Sequence, residues 1–237
     1  MLLSIVIPAL NEERYLENVI SRIKALSDPK FSVQIIVVDD GSVDDTYSIA
    51  ERTLDHDNDC LLRHPRNLGK GAALKTASEM VSGDFVIIQD ADLEYSPEEI
   101  PRVVGPLVAD LADVVYGSRF SGSEAKRVLY FWHAMGNRFL TLISNLFSNL
   151  NLTDMETGYK AFRTDIFQAL HLREKGFGVE PEITAKISKM DVRVYEVSIS
   201  YRGRTYSEGK KIGWKDGFWA LWCILRYSLI APPKVKK

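Results

Sequence analysis

The segment Val86-Ile87-Ile88-Gln89-Asp90-Ala91-Asp92-Leu93-Glu94 runs from three apolar residues directly into a cluster of acids. This pattern predicts a buried parallel strand whose carboxyl end delivers Asp90 and Asp92 into a crevice, where open α/β sheets bind their ligands. Residues i and i+2 of a strand point the same way, so the two carboxylates are expected to share one divalent cation, with Glu94 close enough to help. Oxygen ligands alone favour Mg²⁺ or Mn²⁺ over zinc.

A purely structural interpretation of the same acids stays open at this point. Asp-Ala-Asp is also typical of a turn and helix N-cap, and it leads into Ser96-Pro97-Glu98-Glu99, which has the spacing of a capping box. Two acids one residue apart are a weak signal without support from the rest of the chain.

The amino-terminal third alternates between strand and helix patterns. Residues 3–8 predict a strand, a helix follows to about residue 26, and residues 33–40 predict a second strand that again ends in paired acids, before a helix at 45–54. This alternation predicts a mostly parallel, doubly wound α/β sheet with flanking helices. Further strands are expected near 60–64, 86–88, 113–117 and 192–200, and residues 154–163 are expected to form a loop that enters a short strand. Further helices are expected near 72–82, 97–109, 128–150, 164–171 and 180–190.

Composition places the chain among ordinary globular proteins. It has 237 residues, 46% hydrophobic and 26% charged, which suffices for one large α/β domain.

No basic leader precedes the first strand, so the sequence predicts no signal peptide and a cytoplasmic protein. Cys60 and Cys223 lie far apart, so neither a structural zinc site nor a disulfide framework is expected.

Charge is distributed unevenly along the chain. Residues 186–237 hold twelve lysines and arginines and four acids, a net charge of +8, whereas the preceding residues carry −10. A basic end on an acidic body predicts an anionic partner at that end, either phosphate groups or a membrane surface.

The glycines near residue 70 imitate a dinucleotide-binding fingerprint. Gly69-Lys70-Gly71 opens a predicted helix, and Asp90 follows about twenty residues later. However, the glycines fall in the third strand-to-helix turn instead of the first, and Leu74 occupies the third glycine position. An NAD(P)-dependent oxidoreductase is therefore the weaker interpretation. The alternative is that the glycines let the backbone pass close to a nucleotide or to another loop.

Taken together, the motifs resemble those of family 2 glycosyltransferases. In chain order they are Pro8-Ala-Leu-Asn-Glu12, Val-Val-Asp39-Asp40-Gly-Ser, Asn67-x-Gly69-x-Gly71, Gln89-Asp90-Ala-Asp92, Gly117-Ser-Arg119 and Thr157-Gly-Tyr-Lys. More narrowly, residues 3 to about 215 resemble the polyprenyl-phosphate sugar transferases, such as the dolichyl-phosphate mannose and glucose synthases. The resemblance implies a GT-A catalytic domain over residues 1–212 and inversion at the anomeric carbon by single displacement.

The resemblance also implies a donor site for a nucleoside-diphosphate sugar, with a UDP-sugar favoured and GDP-mannose second. The implied donor-binding residues are Pro8, Ala9, Leu10, Glu12, Asp39, Asp40, Gly69, Lys70, Gln89, Asp90, Ala91 and Asp92. The implied metal ligands are Asp90, Asp92 and Glu94, which would hold Mg²⁺ or Mn²⁺ against the diphosphate. A cation that neutralises the departing diphosphate lowers the barrier without an acid catalyst.

The implied acceptor is a polyprenyl phosphate, such as dolichyl or undecaprenyl phosphate, which is already anionic and needs no strong general base. The implied phosphate ligands are Arg119, Arg127, Arg202, Arg204 and Lys210, because guanidinium groups match phosphate geometry. Asp92, Arg119 and Asp154 are the catalytic candidates. A surface ion pair for any arginine and a loop cap for Asp154 stay open. Transfer to a saccharide hydroxyl is the rival reaction, and it would need Asp154 or Glu156 as a general base.

Residues 213–237 are predicted to form an amphipathic helix with a basic tail. The aromatic face holds Trp214, Phe218, Trp219 and Trp222, but Arg226 and the following prolines leave the apolar run too short to span a bilayer. An interfacial helix is expected, with a core helix as the alternative. We therefore expect a protein peripheral on the cytoplasmic face of a membrane, with no nucleic acid partner. Assembly into a homo-oligomer stays open.

Overall fold

The computed structural model describes residues 1–26, 28–122, 128, 130–203 and 214–229. The strands are β1 (Leu2–Ala9), β2 (Ser32–Asp39), β3 (Cys60–Arg63), β4 (Phe85–Ile88), β5 (Val114–Ser118), β6 (Lys160–Arg163) and β7 (Val194–Ser198). The helices are α1 (Leu16–Lys24), α2 (Thr46–Thr53), α3 (Lys70–Ser78), α4 (Ile100–Val108), α5 (Phe131–Ser148), α6 (Thr164–Ala169), α7 (Val179–Ile187) and α8 (Trp214–Ser228).

These strands form one sheet in the order β3-β2-β1-β4-β6-β5-β7. β1 pairs in parallel with β2 and β4, and β5 pairs in parallel with β7. Only β6 among the described strands runs the other way, because it is antiparallel to both β4 and β5. The carboxyl ends of the parallel strands therefore meet the amino end of β6 at one edge of the sheet.

Helices cover both faces of the sheet, which confirms the α/β prediction. Ile5 and Ile7 of β1 pack in one core layer with the apolar side of α1, whereas Val6 packs in the other layer with α3 and α7. Alternate residues of one strand thus enter opposite layers, as the period of two requires. Strands buried on both faces explain the near-continuous apolar runs in the sequence.

The segment after β4 differs from the expected geometry in two ways. β4 ends at Ile88, so Asp90 and Asp92 lie in a turn, and the strand rule for residues i and i+2 does not apply to them. The capping box also fails to form, because the Ser96 hydroxyl donates to the Glu98 carboxylate (2.6 Å) and makes no bond to the helix backbone.

In helix α5 the buried side is polar and the exposed side is apolar. Its buried side chains are the polar residues Thr141, Ser144 and Ser148. Thr141 Oγ1 accepts the backbone N–H of Met155 (3.2 Å). The large apolar side chains face outward instead: Phe131, Trp132, Met135, Phe139, Leu142, Leu146 and Phe147. This exposed set is called the α5 apolar face below.

Helix α8 packs against α5 and α7. Its Cys223 and Tyr227 are buried with Ala185 of α7, while Phe218, Trp219 and Trp222 are largely exposed. In the part of the chain that the structure describes, no helix is both long and apolar enough to cross a membrane.

Candidate active site

A cleft of about 1180 Å³ opens where the carboxyl ends of β1, β4 and β5 meet the amino end of β6. Most of the predicted donor and metal residues line it, together with Arg119. They are Pro8, Ala9, Leu10, Glu12, Asp40, Gly69, Lys70, Asp90, Ala91, Asp92, Glu94 and Arg119. The structure therefore brings side chains from positions 8 to 119 to one crevice of the sheet.

Hydrogen bonds among its own residues fix the turn that carries Asp90 and Asp92. The Gln89 side-chain amide donates to the backbone carbonyls of Asp90 (3.0 Å) and Tyr95 (3.3 Å), and Asp92 Oδ1 accepts the backbone N–H of Glu94 (3.1 Å). Gln89 is fully buried and does not line the cleft. Gln89 therefore holds the acidic turn from behind, and its contact with a donor stays a prediction.

The three predicted metal ligands do not form a closed cage. Asp90 Oδ1 lies 2.8 Å from the Lys70 ammonium, and the Glu94 carboxylate accepts the hydroxyl of Tyr201 (2.8 Å). Across the described ranges, no group of three His, Cys, Asp or Glu side chains is arranged to hold a metal ion. The expectation that all three acids share one ion stays a prediction.

Asp40 organises the glycine turn before α3. Its carboxylate accepts the backbone N–H groups of Leu68 (2.9 Å) and Gly69 (2.7 Å) and contacts His64 Nδ1 (2.6 Å). Asp39 is fully buried beside it, where it accepts the backbone N–H of Ser42 (3.0 Å). Asp40 thus borders the cleft, but its carboxylate oxygens are already bonded within the protein. Asp39 does not line the cleft.

The glycine turn needs its glycines because another loop passes very close. A Cβ on Gly69, whose φ is +98°, would lie 2.3 Å from the carbonyl oxygen of Lys175, and a Cβ on Gly71 would lie 2.1 Å from that of Glu174. The backbone N–H of Ala72 donates to the Lys175 carbonyl (3.1 Å). The close approach to another loop, expected as the alternative to a dinucleotide fingerprint, is what the structure contains.

Arg119 follows β5 and is clamped by Asp154. Arg119 Nε donates to Asp154 Oδ2 (2.6 Å) and Nη2 donates to Oδ1 (2.7 Å). Asn137 of α5 adds a longer bond to Asp154 (3.3 Å). Although burial opposes the charge, the carboxylate of Asp154 raises the pKa of the Arg119 guanidinium, so it stays cationic. Asp154 is fully buried and does not line the cleft, which favours a role in positioning Arg119 over contact with a substrate.

Glu156, half-buried, is the acid that lines the cleft on the Arg119 side. Burial, followed by repulsion from Glu180, raises the pKa of its carboxyl to about 7. A carboxyl that titrates near neutrality is suited to exchange a proton with a ligand. Of the two acids expected as alternative bases, only Glu156 therefore borders the cleft.

Three aromatic residues build the wall between the acidic turn and Arg119. Tyr95 stacks on Tyr159 (5.1 Å between centroids) and accepts the backbone N–H of Gly158 (3.0 Å). The Arg119 guanidinium lies over the Tyr201 ring at 5.1 Å. Burial raises the pKa of the Tyr95 hydroxyl, so this wall is neutral.

Several residues of the cleft were not predicted from the sequence. Tyr95 and Glu180 line it without having been expected there, and no local pattern distinguished Glu180 from an ordinary acid in the first turn of a helix. Of the remaining expected acceptor ligands, Arg202 is exposed and does not line the cleft. Arg127, Arg204 and Lys210 lie outside the described residues.

Comparison with known proteins shows which sequences and structures this chain resembles. The profile described as "Glycosyl transferase family 2" matches residues 4–170. A UDP-N-acetylglucosamine–dolichyl-phosphate N-acetylglucosaminyltransferase of Methanococcus voltae is 28% identical, over 89% of this chain and 90% of that protein. The low-salt glycan biosynthesis hexosyltransferase Agl6 of Haloferax volcanii is 29% identical over 98% of this chain, which spans only 54% of that protein.

Crystal structures of glucosyl-3-phosphoglycerate synthase from Mycobacterium tuberculosis share the fold. One, in complex with Mn²⁺, UDP-glucose and phosphoglyceric acid, is 23% identical, covers 95% of this chain and 79% of that one, and gives a TM-score of 0.73. The α/β architecture with a mostly parallel sheet is thus that of known GT-A structures.

Proposed function

This chain belongs to glycosyl transferase family 2, and from that premise we propose that it transfers a hexose, with inversion, from a nucleoside-diphosphate sugar to a polyprenyl phosphate. A UDP-sugar is the favoured donor and GDP-mannose the second. Relatives that act on dolichyl phosphate and undecaprenyl phosphate support the acceptor class: the Methanococcus enzyme and an undecaprenyl-phosphate mannosyltransferase of Micrococcus luteus, 28% identical over 88% of this chain.

One observation carries the proposal: a single cleft combines an acidic donor half, a clamped arginine and an apolar mouth. The mouth is built from the α5 apolar face and α8, which contribute Trp132, Phe139, Phe218 and Leu221 to the lining, together with Phe177. A phosphate beside Arg119 would have its isoprenoid chain against these side chains. A saccharide acceptor gains little from such a wall, because sugars present hydroxyl groups that need hydrogen-bonding partners.

The donor half fits a divalent cation completed by the substrate. Asp90 and Asp92 both line the cleft with oxygen ligands, while the described acids provide no three-ligand cage. Mg²⁺ is commonly bound by one or two carboxylates plus substrate phosphates, so this donor set suits a metal that arrives with a diphosphate. When bound, such an ion would neutralise charge on the leaving diphosphate.

The order of strands supports binding of the donor and the acceptor on different sides of the cleft. Donor residues follow β1 and β4, Arg119 follows β5, and the amino end of β6 lies between β4 and β5. Displacement with inversion requires the acceptor oxygen to approach opposite the leaving group, so binding on two sides of the reacting carbon favours the reaction. Arg119, fixed by Asp154, would hold the acceptor phosphate on its side and keep one of its oxygens directed at that carbon.

A membrane surface is the proposed environment of the apolar mouth. The α5 apolar face and the exposed aromatic residues of α8 lie on two helices that pack together. Burying this face in a lipid headgroup region would remove apolar area from water and would bring the cleft to the acceptor. We therefore propose peripheral attachment, with the basic carboxyl end adding attraction to anionic lipids.

Transfer to a saccharide hydroxyl is the second candidate, and Glu156 is the observation that favours it. A hydroxyl acceptor requires a general base, and a carboxyl with a pKa of about 7 at the cleft wall could supply one.

Incubation with labelled UDP-glucose, UDP-N-acetylglucosamine or GDP-mannose, Mn²⁺ and a short polyprenyl phosphate separates the two reactions. We expect the label in an organic-extractable, mild-acid-labile lipid. Label that appears only in water-soluble oligosaccharide would refute the lipid acceptor. A thermal-shift screen of the same nucleotides, with NAD(P) as the comparison, identifies the donor first, since a ligand of the folded state raises the melting temperature.

A further inference from the structure

Glu180, in the first turn of α7, has no role in the chemistry above although it borders the cleft. The residue is only 3% exposed. Its Oε1 lies 3.2 Å from the Lys70 ammonium, and its Oε2 is paired with the ammonium of Lys160. One carboxylate thus joins two lysines that come from different parts of the chain.

Lys160 is a fixed anchor for this carboxylate. Its side chain has no exposed surface, and its ammonium donates to Glu180 and to the backbone carbonyls of Met155 (3.1 Å) and Thr157. Three acceptors match the three donors of an ammonium group. Because a buried ammonium that lost its counter-charge would be costly, Lys160 and Glu180 hold each other in place.

Lys70 is held between two carboxylates at the start of α3. Its ammonium lies 2.8 Å from Asp90 Oδ1 in addition to the contact with Glu180, and its side chain is 14% exposed, on the cleft side. A flexible side chain is thereby held in one position by two carboxylates.

The charge balance of the cleft indicates what Lys70 meets. Eight acids line the described cleft, namely Glu12, Asp40, Asp90, Asp92, Glu94, Glu156, Glu180 and Asp216, whereas the lysines and arginines of that lining are Lys70 and Arg119. Arg119 is clamped by Asp154 on the far side of β6. Lys70 is therefore the cationic side chain of the donor half, where a diphosphate would otherwise face carboxylates.

We infer that Glu180 is a positioning residue that holds the Lys70 ammonium against the diphosphate of a nucleotide donor, with Lys160 as its buried anchor. The inference deepens the proposed function and rests on it. Glu180 itself need not touch the donor, because it acts through Lys70.

Isothermal titration of the full chain with UDP and GDP, each with Mn²⁺, tests this. We expect Glu180→Gln to weaken binding of the better nucleotide about tenfold, the value of one charge-assisted hydrogen bond. Binding of the matching monophosphate, UMP or GMP, should change less than twofold. Lys70→Met should show the same selective loss, and the double variant should lose no more than Lys70→Met alone, because the two residues act as one unit.

Glu182→Gln is the matched control. Glu182 is a fully buried glutamate of the same helix, paired with Lys186, and it does not line the cleft. We expect this variant to lower the melting temperature without changing the ratio of diphosphate to monophosphate affinity. If Glu180→Gln does not fold, Glu180→Asp, which withdraws the carboxylate by one methylene, should show the selective loss.

Three results would overturn the inference. Glu180→Gln could bind the diphosphate as the parent does, could lose monophosphate and diphosphate affinity equally, or could add its loss to that of Lys70→Met. A parent protein that binds neither nucleotide with Mn²⁺ would instead refute the proposed function, and the inference with it.

Discussion

Arg119 and Asp154 form a two-point ion pair, with Nε to Oδ2 at 2.6 Å and Nη2 to Oδ1 at 2.7 Å. The Asp154 side chain has no exposed surface and that of Arg119 is 12% exposed. A pair of this geometry fixes the plane of the guanidinium at the carboxyl end of β5. The orientation of the proposed phosphate ligand is therefore set by a residue that does not border the cleft.

Asp154→Ala should lower the free energy of unfolding by about 3–5 kcal/mol, because it leaves the buried guanidinium without its counter-charge. Urea denaturation measures this. Glu98→Ala is the control, since the Arg22–Glu98 pair is 30% and 55% exposed and its loss should cost at most about 1 kcal/mol. Equal losses in the two variants would contradict the assignment of Arg119 and Asp154 as a buried pair.

Glu156→Gln should change how stability depends on pH. The pKa of Glu156 is raised to about 7 in the folded protein, from 4.5, so the folded state binds the extra proton and wild-type stability falls as pH rises from about 4.5 to 7. The Glu156→Gln variant has no carboxyl at this position, so its stability does not fall for this reason. Its stability relative to wild type should rise by up to about 3 kcal/mol between pH 4.5 and 8.

Denaturation across that pH range checks the result, with the exposed Glu51→Gln as the control. Parallel curves for wild type and Glu156→Gln would disprove the raised pKa. Activity adds a second readout. A phosphate acceptor loses its second proton near pH 6, so the rate should level off above that pH in both proteins, whereas a hydroxyl acceptor should lose nearly all activity in Glu156→Gln.

Asp92→Asn should reduce turnover by about 10²-fold or more while the fold is retained, because it removes charge from the ion that stabilises the leaving group. Asp165→Asn, at an exposed acid of α6, should keep full turnover. Binding of Mn²⁺, followed by electron paramagnetic resonance, should weaken in Asp92→Asn alone. Full activity of Asp92→Asn in excess EDTA would exclude the metal role.

Gly71→Ala should lower the free energy of unfolding by about 1–3 kcal/mol, because the added Cβ would lie 2.1 Å from a backbone carbonyl oxygen and must force α3 away from the loop at Glu174. Gly105→Ala offers the opposite case, since no atom lies within 4 Å of its Cβ position inside α4. That variant should gain about 0.5–1 kcal/mol. Thermal and urea unfolding compare the two, and a neutral Gly71→Ala would contradict the close approach.

The α5 apolar face should carry the protein upward with anionic liposomes in a density gradient. Trp132→Ser removes a side chain that is 82% exposed on this face, and Leu111→Ser removes one that is 53% exposed in the segment between α4 and β5. We expect only Trp132→Ser to reduce flotation, and high salt to weaken it as well if the basic end contributes. A protein that stays at the bottom of the gradient in low salt would refute membrane attachment.

Much of the fold could be predicted from periodicity and turn residues. The first two strands and their helices lie within a few residues of the predicted bounds, apart from the late start of α1, because apolar runs, acids and glycines mark their ends. The direction of β6 could not be predicted, since four residues carry no signal that distinguishes parallel from antiparallel pairing. For α5, the helix could be predicted from the sequence, but not that the polar residues Thr141, Ser144 and Ser148 would be its buried side chains.

The residues of the candidate site also fall into those that could be predicted from the sequence and those that could not. Residues in local motifs, such as Asp90 and Lys70, could be assigned to the cleft because their positions at strand ends determine where they lie. The pairs Lys70–Glu180 and Arg119–Asp154 join residues far apart in the chain. Such partners are determined by tertiary packing, and nothing in the neighbouring sequence identifies them.

The reversed strand β6 has a consequence for how relatives with this sheet can diversify. Because β6 enters the sheet from the cleft edge, the connection from α5 to β6 brings Glu156 and Gly158 to the cleft while the strand itself stays hydrogen-bonded to β4 and β5. The same connection reaches the acidic turn as well, because a Cβ added to Gly158 would lie 2.5 Å from Asp90 Oδ2 and 2.8 Å from the Lys70 ammonium. A change at this point would therefore alter both halves of the cleft together, so relatives with this sheet are expected to change donor and acceptor contacts jointly here.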